Sequence, residues 1–107
     1  MDNDDTIHLR ELCYKFNAVT ELYKKSVENM SNLETELDIG IIKEDISDKL
    51  SWKKNVLELI KKNNLYMNKY ISYNNAKKEV KVSTSGLKAL EVEINSIKKI
   101  HDHLPKG

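Results

Sequence analysis

The fold of this chain is decided by residues 9–37, which read LRELCYKFNAVTELYKKSVENMSNLETEL. Apolar residues recur here at alternating spacings of three and four, which is the heptad period of helices that pair along their length. Such a stripe keeps one narrow face of a helix turned toward a partner for about 42 Å. This first seam comprises Leu9, Leu12, Phe16, Val19, Tyr23, Ser26, Met30, Leu33 and Leu37.

The ends of this first helix carry recognisable signals. Asp4, Asp5 and Thr6 are N-cap candidates, and the acids favour the positive end of the helix dipole. Gly40 is the expected stop, because glycine readily adopts the left-handed conformation that follows a last helical turn. The first helix is therefore predicted over about residues 6–38.

A second helix is predicted over about residues 41–77, with two apolar stripes side by side. The stripes are displaced by one residue, or about 100° around the helix, so the helix contacts at least two neighbours. The Tyr-rich stripe is the more amphipathic, because its hydroxyl groups can reach water. One stripe comprises Ile46, Leu50, Lys53, Leu57, Ile60, Asn64, Met67 and Ile71, and the other comprises Trp52, Val56, Leu59, Asn63, Tyr66, Tyr70 and Tyr73.

Residues 78–86 break this pattern with β-branched and small residues, and they predict a loop in which Ser83 or Ser85 caps the next helix. The third helix is predicted over about residues 85–104, ending at Pro105. The two long helices outrun the third, so part of their apolar surface stays uncovered unless another chain supplies helices. The third seam comprises Leu87, Leu90, Ile94, Ile97, His101 and Leu104.

Composition supports the same architecture. The chain has 107 residues, of which 39% are hydrophobic and 33% charged, with only three Gly and one Pro. So few turn-forming residues disfavour a many-stranded fold, and the length suits a single domain over residues 1–107. We predict an all-α chain whose three long amphipathic helices form an elongated helical bundle or coiled coil, completed by partner helices.

Charge is unevenly distributed, although the net charge is +1. Residues 1–48 hold twelve acids and five bases (net −7), and residues 49–107 hold five acids and thirteen bases (net +8). Complementary flanks of helices packed together explain this division most simply. The alternative is a basic face for nucleic acid or acidic tails, which is less favoured because the lysines lie on several helix faces without interleaved arginines.

Location and chemistry are constrained by what the sequence lacks. No apolar run approaches a membrane span, the start is acidic rather than signal-like, and Cys13 has no second cysteine to pair with, so an intracellular chain is expected. The sequence contains no enzyme or cofactor motif, so neither catalysis nor a bound cofactor is expected of this chain. Cys13 with His8, or with His101 and His103, matches no standard zinc spacing, so solvated histidines are the preferred interpretation.

Two features of the seams have competing interpretations. The aromatic residues Trp52, Tyr66, Tyr70 and Tyr73 could stack nucleic-acid bases, but helical spacing favours a packing role. Polar residues in the seams either fix the register and the choice of partner, or mark interruptions of the seam by solvent or a loop, and both interpretations stay open. These polar residues are Ser26 and Asn64.

The expected assembly contacts come from all three helices. Burial of apolar surface, at about 25 cal/mol per Å2, would drive association, and the charged flanks would set the choice of partner. The predicted contact residues are Leu9, Leu12, Phe16, Val19, Tyr23, Met30, Leu33, Trp52, Leu57, Ile60, Met67, Leu90, Ile94 and Ile97.

Several residues resemble a known family. The segment Ala89–Ile100, followed by Leu104-Pro105, is similar to the Leu-Glu-x-acid pattern and closing proline of the N-terminal coiled-coil region of subunit 1 of the SKA (spindle and kinetochore-associated) complex. Leu9, Leu12-Cys13 and Lys24-Lys25 resemble the start of that region. The middle helix agrees in pattern only, and residues 78–85 have no clear counterpart in the family.

The resemblance implies a scaffold subunit of the kinetochore and spindle. Its partners would be other small helical subunits of the same complex, in a hetero-oligomer, a homodimer or both. Microtubules would be bound only through a winged-helix domain beyond Gly107 that this sequence does not contain, and neither a membrane nor nucleic acid is expected as a partner. Two other functions compete: a small helical export chaperone of the flagellar type, which exposes an apolar face to a secreted client, and a helical nucleic-acid-binding domain that uses the basic second half.

Overall fold

The computed structural model of this chain describes residues 3–46 and 51–102, and within those ranges every regular element is a helix. The helices are α1 (Asn3–Lys43), α2 (Trp52–Lys62) and α3 (Tyr66–Asp102). The predicted all-α fold with three helices is therefore confirmed. Every member of the first seam is buried or half-buried, so the heptad stripe is the covered face of α1.

The predicted boundaries of the helices are largely wrong. The region 41–77 contains two breaks instead of one continuous helix, and the predicted loop at residues 78–86 lies inside α3. The first helix also continues past its expected stop at Gly40 to Lys43. Leu50, His103, Leu104 and Pro105 lie outside the described residues.

The first break follows a Schellman motif whose left-handed residue is Asp45, with a φ of 55°. The N–H of Asp45 donates to the Ile42 carbonyl and the N–H of Ile46 donates to the Ile41 carbonyl, both at 3.1 Å. Ile41 and Ile46 both belong to the buried core, so an apolar contact of the kind that accompanies this motif fixes the helix end. Gly40 instead lies within the helix, where its missing side chain makes room for Tyr66.

The second break is built by Asn63. Its Oδ1 accepts a hydrogen bond from the Leu65 N–H at 3.1 Å, and its carbonyl accepts one from the Tyr66 N–H at 3.2 Å. An asparagine side chain that bonds the backbone two residues later competes with the helical pattern and forms a turn. Asn64 is an exposed residue of this turn, so a seam interrupted by a loop is the correct interpretation at that position.

The continuity of α3 follows from a seven-residue repeat that crosses the predicted loop. Tyr66, Tyr73, Val80, Leu87 and Ile94 recur every seven residues, and all of them are buried or half-buried. The β-branched residues of 78–86 have only modestly lower helix propensity, a few tenths of a kcal/mol each, which packing along the seam outweighs.

The chain divides into two compact units, and α1 and α3 contribute to both. The terminal unit comprises Met1–Lys24 and Lys81–Gly107, of which the structure describes residues 3–24 and 81–102. The central unit is Lys25–Val80, of which it describes residues 25–46 and 51–80.

The central unit is a three-helix arrangement with its own core. Along α1, Ser26 contacts Glu79 of α3 and Glu36 contacts Lys69, so the two helices run antiparallel. The short helix α2 packs its buried face, including Val56 and Leu59, onto this pair. The buried core consists of Leu37, Ile41, Ile46, Val56 and Leu59, with Trp52, Ile60, Tyr66, Tyr70 and Tyr73 packed against it.

The terminal unit contains only two helical segments in the described residues. His8 of α1 pairs with Glu93 of α3, and Val19 lies opposite Gly86, so these segments are also antiparallel. Leu12 and Ile94 are its buried hydrophobic residues among those described. Two helices can cover only one side of each other, so residues 3–24 and 81–102 do not enclose a core between them.

Candidate assembly interface

The seam residues of the terminal unit are covered only in part. Apart from Leu12 and Ile94, each predicted contact residue in this unit is half-buried, which is the result expected when one helix packs against a single neighbour. A third or fourth helix would be needed to enclose them. The half-buried predicted residues here are Leu9, Phe16, Val19, Tyr23, Leu90 and Ile97.

One edge of the terminal unit exposes large apolar side chains. The contact between His8 Nε2 and Glu93 Oε1, at 3.5 Å, marks this edge. Leu22 follows His8 by fourteen residues, Val82 precedes Glu93 by eleven and Ile100 follows it by seven, so each lies a near-whole number of turns from the pair. Val82 and Ile100 are 71% and 61% exposed, and Leu22 is also exposed. We name Leu22, Val82 and Ile100 the apolar edge.

Small residues separate the members of the apolar edge. Ala18 lies one turn before Leu22, Gly86 one turn after Val82, and Ala89 one turn before Glu93. Small side chains let another helix backbone approach closely, and the exposed aliphatic groups beside them supply apolar surface to bury. The edge therefore has the composition of a surface on which a helix packs.

Sequence reasoning missed the apolar edge. Val82 lies in the segment whose composition predicts a loop, and Leu22 and Ile100 lie outside the strict seams. The signal that could have found the edge is that Val82 and Ile100 are eighteen residues apart, which is five complete helical turns. That spacing has meaning only if α3 is continuous between the two residues.

Two serines occupy covered positions in the helix pair. Ser26 lies inside continuous α1, is buried, and its Oγ donates to Glu79 Oε2 at 3.1 Å. A loop at Ser26 is therefore excluded, whereas a role in fixing register stays a prediction. Ser83 is 3% exposed, and its Oγ has no hydrogen-bond partner among the described residues.

The aromatic stripe of the predicted second helix holds the central unit together. Trp52 Nε1 donates to Asp38 Oδ1 at 2.7 Å, and the Trp52 and Tyr73 rings lie 4.9 Å apart at 56°. Burial raises the pKa of the Tyr73 hydroxyl above its ordinary value of 10.0, and nearby Glu34, Tyr70 and Asp38 raise it further. These contacts join α2 to both long helices, which is the packing role favoured by the spacing.

Most of the described residues of the other stripe of the predicted second helix are exposed. Leu57 and Met67, both predicted contact residues, are 42% and 44% exposed, whereas Ile60 is half-buried against the core. Met30 and Leu33 on α1 are half-buried. The structure thus separates the predicted contact residues into a packed set and an exposed set, and the contacts of either set with other chains stay predictions.

Among the candidate metal ligands, the structure describes the side chains of Cys13 and His8, whereas those of His101 and His103 lie outside the described residues. Cys13 is exposed, and His8 pairs with Glu93. Over residues 3–46 and 51–102, no group of three or more His, Cys, Asp or Glu side chains is arranged to hold a metal ion.

In the same part of the chain, no helix has the length and apolar character needed to cross a membrane.

Comparison with known proteins gives no family for this chain. No protein-family model matches it, and no match was found among curated proteins or solved structures.

Proposed function

We propose that this chain is a structural assembly module whose terminal unit binds helices of other polypeptides along the apolar edge. The observation that carries the proposal is a two-helix unit with half-buried seams and exposed Leu22, Val82 and Ile100. Covering one such aliphatic side chain stabilises a complex by about 2 kcal/mol. Partner helices would also enclose the half-buried residues of the seam.

A finer proposal concerns the complex to which the module belongs. The residues at Ala89–Ile100, Leu12-Cys13 and Lys24-Lys25 resemble those of the kinetochore scaffold subunit described above, and they support a role in attaching chromosomes to spindle microtubules. Leu90, Ile94 and Ile97 of that segment lie on the covered face of α3, where a coiled-coil seam requires apolar residues.

The assembly proposal is tested by adding charge to the apolar edge. The double variant Val82→Glu/Ile100→Glu places two carboxylates on the edge, and the control Asn17→Glu/Asn95→Glu places two at exposed polar positions of the same unit. Sedimentation measures mass across concentration, circular dichroism measures helicity, and hydrogen exchange compares the two units.

Three results would support the proposal. In the free chain, the terminal unit exchanges its amide hydrogens faster than the central unit. If the chain self-associates, the association is lost in Val82→Glu/Ile100→Glu but retained in the control. If the chain is instead a monomer at every concentration, its terminal unit remains poorly protected from hydrogen exchange. A monomer whose terminal unit is protected as strongly as the central unit would overturn the proposal, because that unit would need no further helices.

The finer proposal is tested in dividing cells of the native organism. A fluorescently tagged full-length chain should concentrate where chromosomes attach to the spindle, and a variant carrying Val82→Glu/Ile100→Glu should lose that location. A tagged wild-type chain located elsewhere throughout division would refute the kinetochore role. The assembly proposal would be unaffected by that result.

A further inference from the structure

Helix α2 concentrates positive charge on a small surface of the central unit. Its eleven residues include Lys53, Lys54, Lys61 and Lys62 against one acid, Glu58. The helix buries Asn55, Val56 and Leu59, so the opposite side carries Lys54, Leu57 and Lys61 at successive near-turn spacings. We name Lys54, Leu57 and Lys61 the basic face.

The basic face also contains an apolar depression. Lys54, Leu57, Glu58, Ile60 and Lys61 line an open groove of about 350 Å3. Leu57 is 42% exposed and lies between the two lysines along the helix, and Ile60 is a second apolar residue of the lining. An aliphatic side chain can therefore enter beside Leu57 while charged groups meet the lysines on either side.

The lysines of this helix are available to a partner to different degrees. Lys61 Nζ lies 3.2 Å from Glu58 Oε1, an exposed pair in which solvent screening leaves little net attraction. Lys62 Nζ donates to the Glu44 carbonyl at 3.5 Å. Within residues 3–46 and 51–102, neither Lys53 nor Lys54 forms an ion pair. An incoming carboxylate would thus meet Lys54, which has no ion-pair partner among the described residues, and Lys61, whose exposed pair with Glu58 is weak.

We propose that the basic face of α2 binds an acidic amphipathic helix of another polypeptide. Lys54 and Lys61 are seven residues apart, or about 10.5 Å along the helix, with Leu57 between them. A partner helix matches this arrangement when two acids seven residues apart flank one aliphatic residue. This binding goes beyond the proposed function, because it uses the central unit and a surface separate from the apolar edge.

Nucleic acid fits the basic face less well than an acidic helix. α2 contains no arginine, the side chain with the planar geometry that best recognises phosphate. The single tryptophan of the chain, Trp52, is bonded to Asp38 and packed against Tyr73, so its ring is not offered for base stacking. An amphipathic partner helix can cover the exposed leucine between the lysines with an apolar side chain, whereas a phosphate backbone offers no apolar group to cover it.

A designed peptide tests the proposal with the whole chain. The probe is a capped helical peptide repeating the heptad Glu-Ala-Gln-Leu-Ala-Ala-Gln, and the control peptide has Gln in place of each Glu. Binding of the acidic peptide should weaken at least about fivefold from about 50 mM to about 300 mM salt, because the attraction is electrostatic. The control peptide should bind at least about tenfold more weakly than the acidic one.

Matched variants locate the binding site. Lys54→Gln/Lys61→Gln should weaken binding of the acidic peptide about tenfold, whereas Lys77→Gln/Lys78→Gln, which removes two exposed lysines of α3, should change it less than about twofold. Leu57→Ala should weaken binding about fivefold, and Met67→Ala, of similar exposure, should leave it unchanged. Trp52 fluorescence and helicity check that each variant remains folded.

Several results would overturn the proposal. One is an equal loss of peptide affinity in the two lysine variants. Another is binding of the neutral peptide as tightly as the acidic one. A third is binding of duplex DNA that is tighter than that of the acidic peptide and depends on Lys54 and Lys61. Self-association of the chain that is lost in Lys54→Gln/Lys61→Gln would make a second copy the occupant instead. Val82→Glu/Ile100→Glu should bind the peptide as the wild type does, so failure at one surface is distinguishable from failure at the other.

Discussion

Gly40 of α1 lies directly against the ring of Tyr66 in α3. A β-carbon placed on Gly40 would come within 2.7 Å of Tyr66 Cε1 and 2.9 Å of Leu59 Cδ2. Leu59 is fully buried and has no open space into which to move, and a shift of the half-buried Tyr66 ring would disturb its packing against the core. The glycine therefore permits close packing of the three helices rather than ending the first one.

We expect Gly40→Ala to lower the free energy of unfolding by about 1–2 kcal/mol, because overpacking costs more than the improved helix propensity returns. Denaturant unfolding followed by helicity and by Trp52 fluorescence measures the change. Gly86→Ala is the control, since a β-carbon there meets only Val19 Cγ1, at 3.8 Å. That variant should be more stable by about 0.5–1 kcal/mol. A gain in stability from Gly40→Ala would contradict the close packing.

Asp45→Gly should stabilise the chain by about 0.5–1 kcal/mol. Asp45 has a φ of 55°, in the region that costs a non-glycine residue about 1–2 kcal/mol, and part of the gain is lost to the greater freedom of glycine in the unfolded chain. Asp45→Ala keeps the β-carbon and should give no comparable gain. Thermal and denaturant unfolding of both variants compare them. Equal stabilisation by alanine would point to the removed charge at the helix C-terminus instead.

The sequence predicts the covered face of a helix correctly where a single apolar repeat runs without interruption. The first seam, Leu9 to Leu37, is the covered face of α1 because an uninterrupted heptad repeat leaves a single orientation for the helix. The second break is not predicted because apolar periodicity continues across Asn63, whose side chain bonds the backbone of Leu65 and stops the helix. At residues 78–86 the local composition predicts a loop, but the repeat through Val80 keeps the segment helical within α3.

The candidate interface was less predictable than the fold. The seams identify which residues a helix covers, but they do not reveal whether the covering helix belongs to the same chain, as for Leu12 and Ile94. The apolar edge depends on α3 being continuous, and the basic face depends on α2 being a separate short helix. The continuity of α3 follows from the seven-residue repeat through Val80, which the strict seams do not include. The separation of α2 follows from the turns at Asp45 and Asn63, which apolar periodicity does not indicate.

Ser83→Ala should raise the free energy of unfolding by about 1 kcal/mol. The buried hydroxyl has no hydrogen-bond partner in the described part of the chain, so removing it ends a desolvation cost, and alanine is the better helix former. Ser26→Ala is the matched comparison, because Ser26 donates to Glu79 and loses that bond. The free energy of unfolding of Ser26→Ala should differ from that of the wild type by less than about 0.5 kcal/mol. Destabilisation by Ser83→Ala in denaturant unfolding would show that the hydroxyl is satisfied in solution.

Tyr73 should make the stability depend on alkaline pH. Its folded pKa is raised above 10.0 by burial and by nearby Glu34, Tyr70 and Asp38. The neutral hydroxyl therefore favours the folded state, and this contribution is complete below pH 10.0 and is lost as the pH rises through the raised pKa. Tyr73→Phe should lose less stability than the wild type between about pH 9 and about pH 11. Tyr14→Phe, at an exposed position, should retain the wild-type profile, and matching profiles for all three proteins would exclude the linkage.

Asp38→Ala should lower the free energy of unfolding by about 1–2 kcal/mol, because it leaves the half-buried Trp52 N–H without its carboxylate acceptor. Asp38→Asn keeps a neutral acceptor and should lose less. Since Trp52 joins α2 to α1 through Asp38 and to α3 through Tyr73, Asp38→Ala should also change the tryptophan fluorescence before the helices unfold. Unfolding followed in parallel by fluorescence and by helicity measures both effects. Coincident transitions with unchanged stability in Asp38→Ala would show that packing against Tyr73 holds α2 in place without this hydrogen bond.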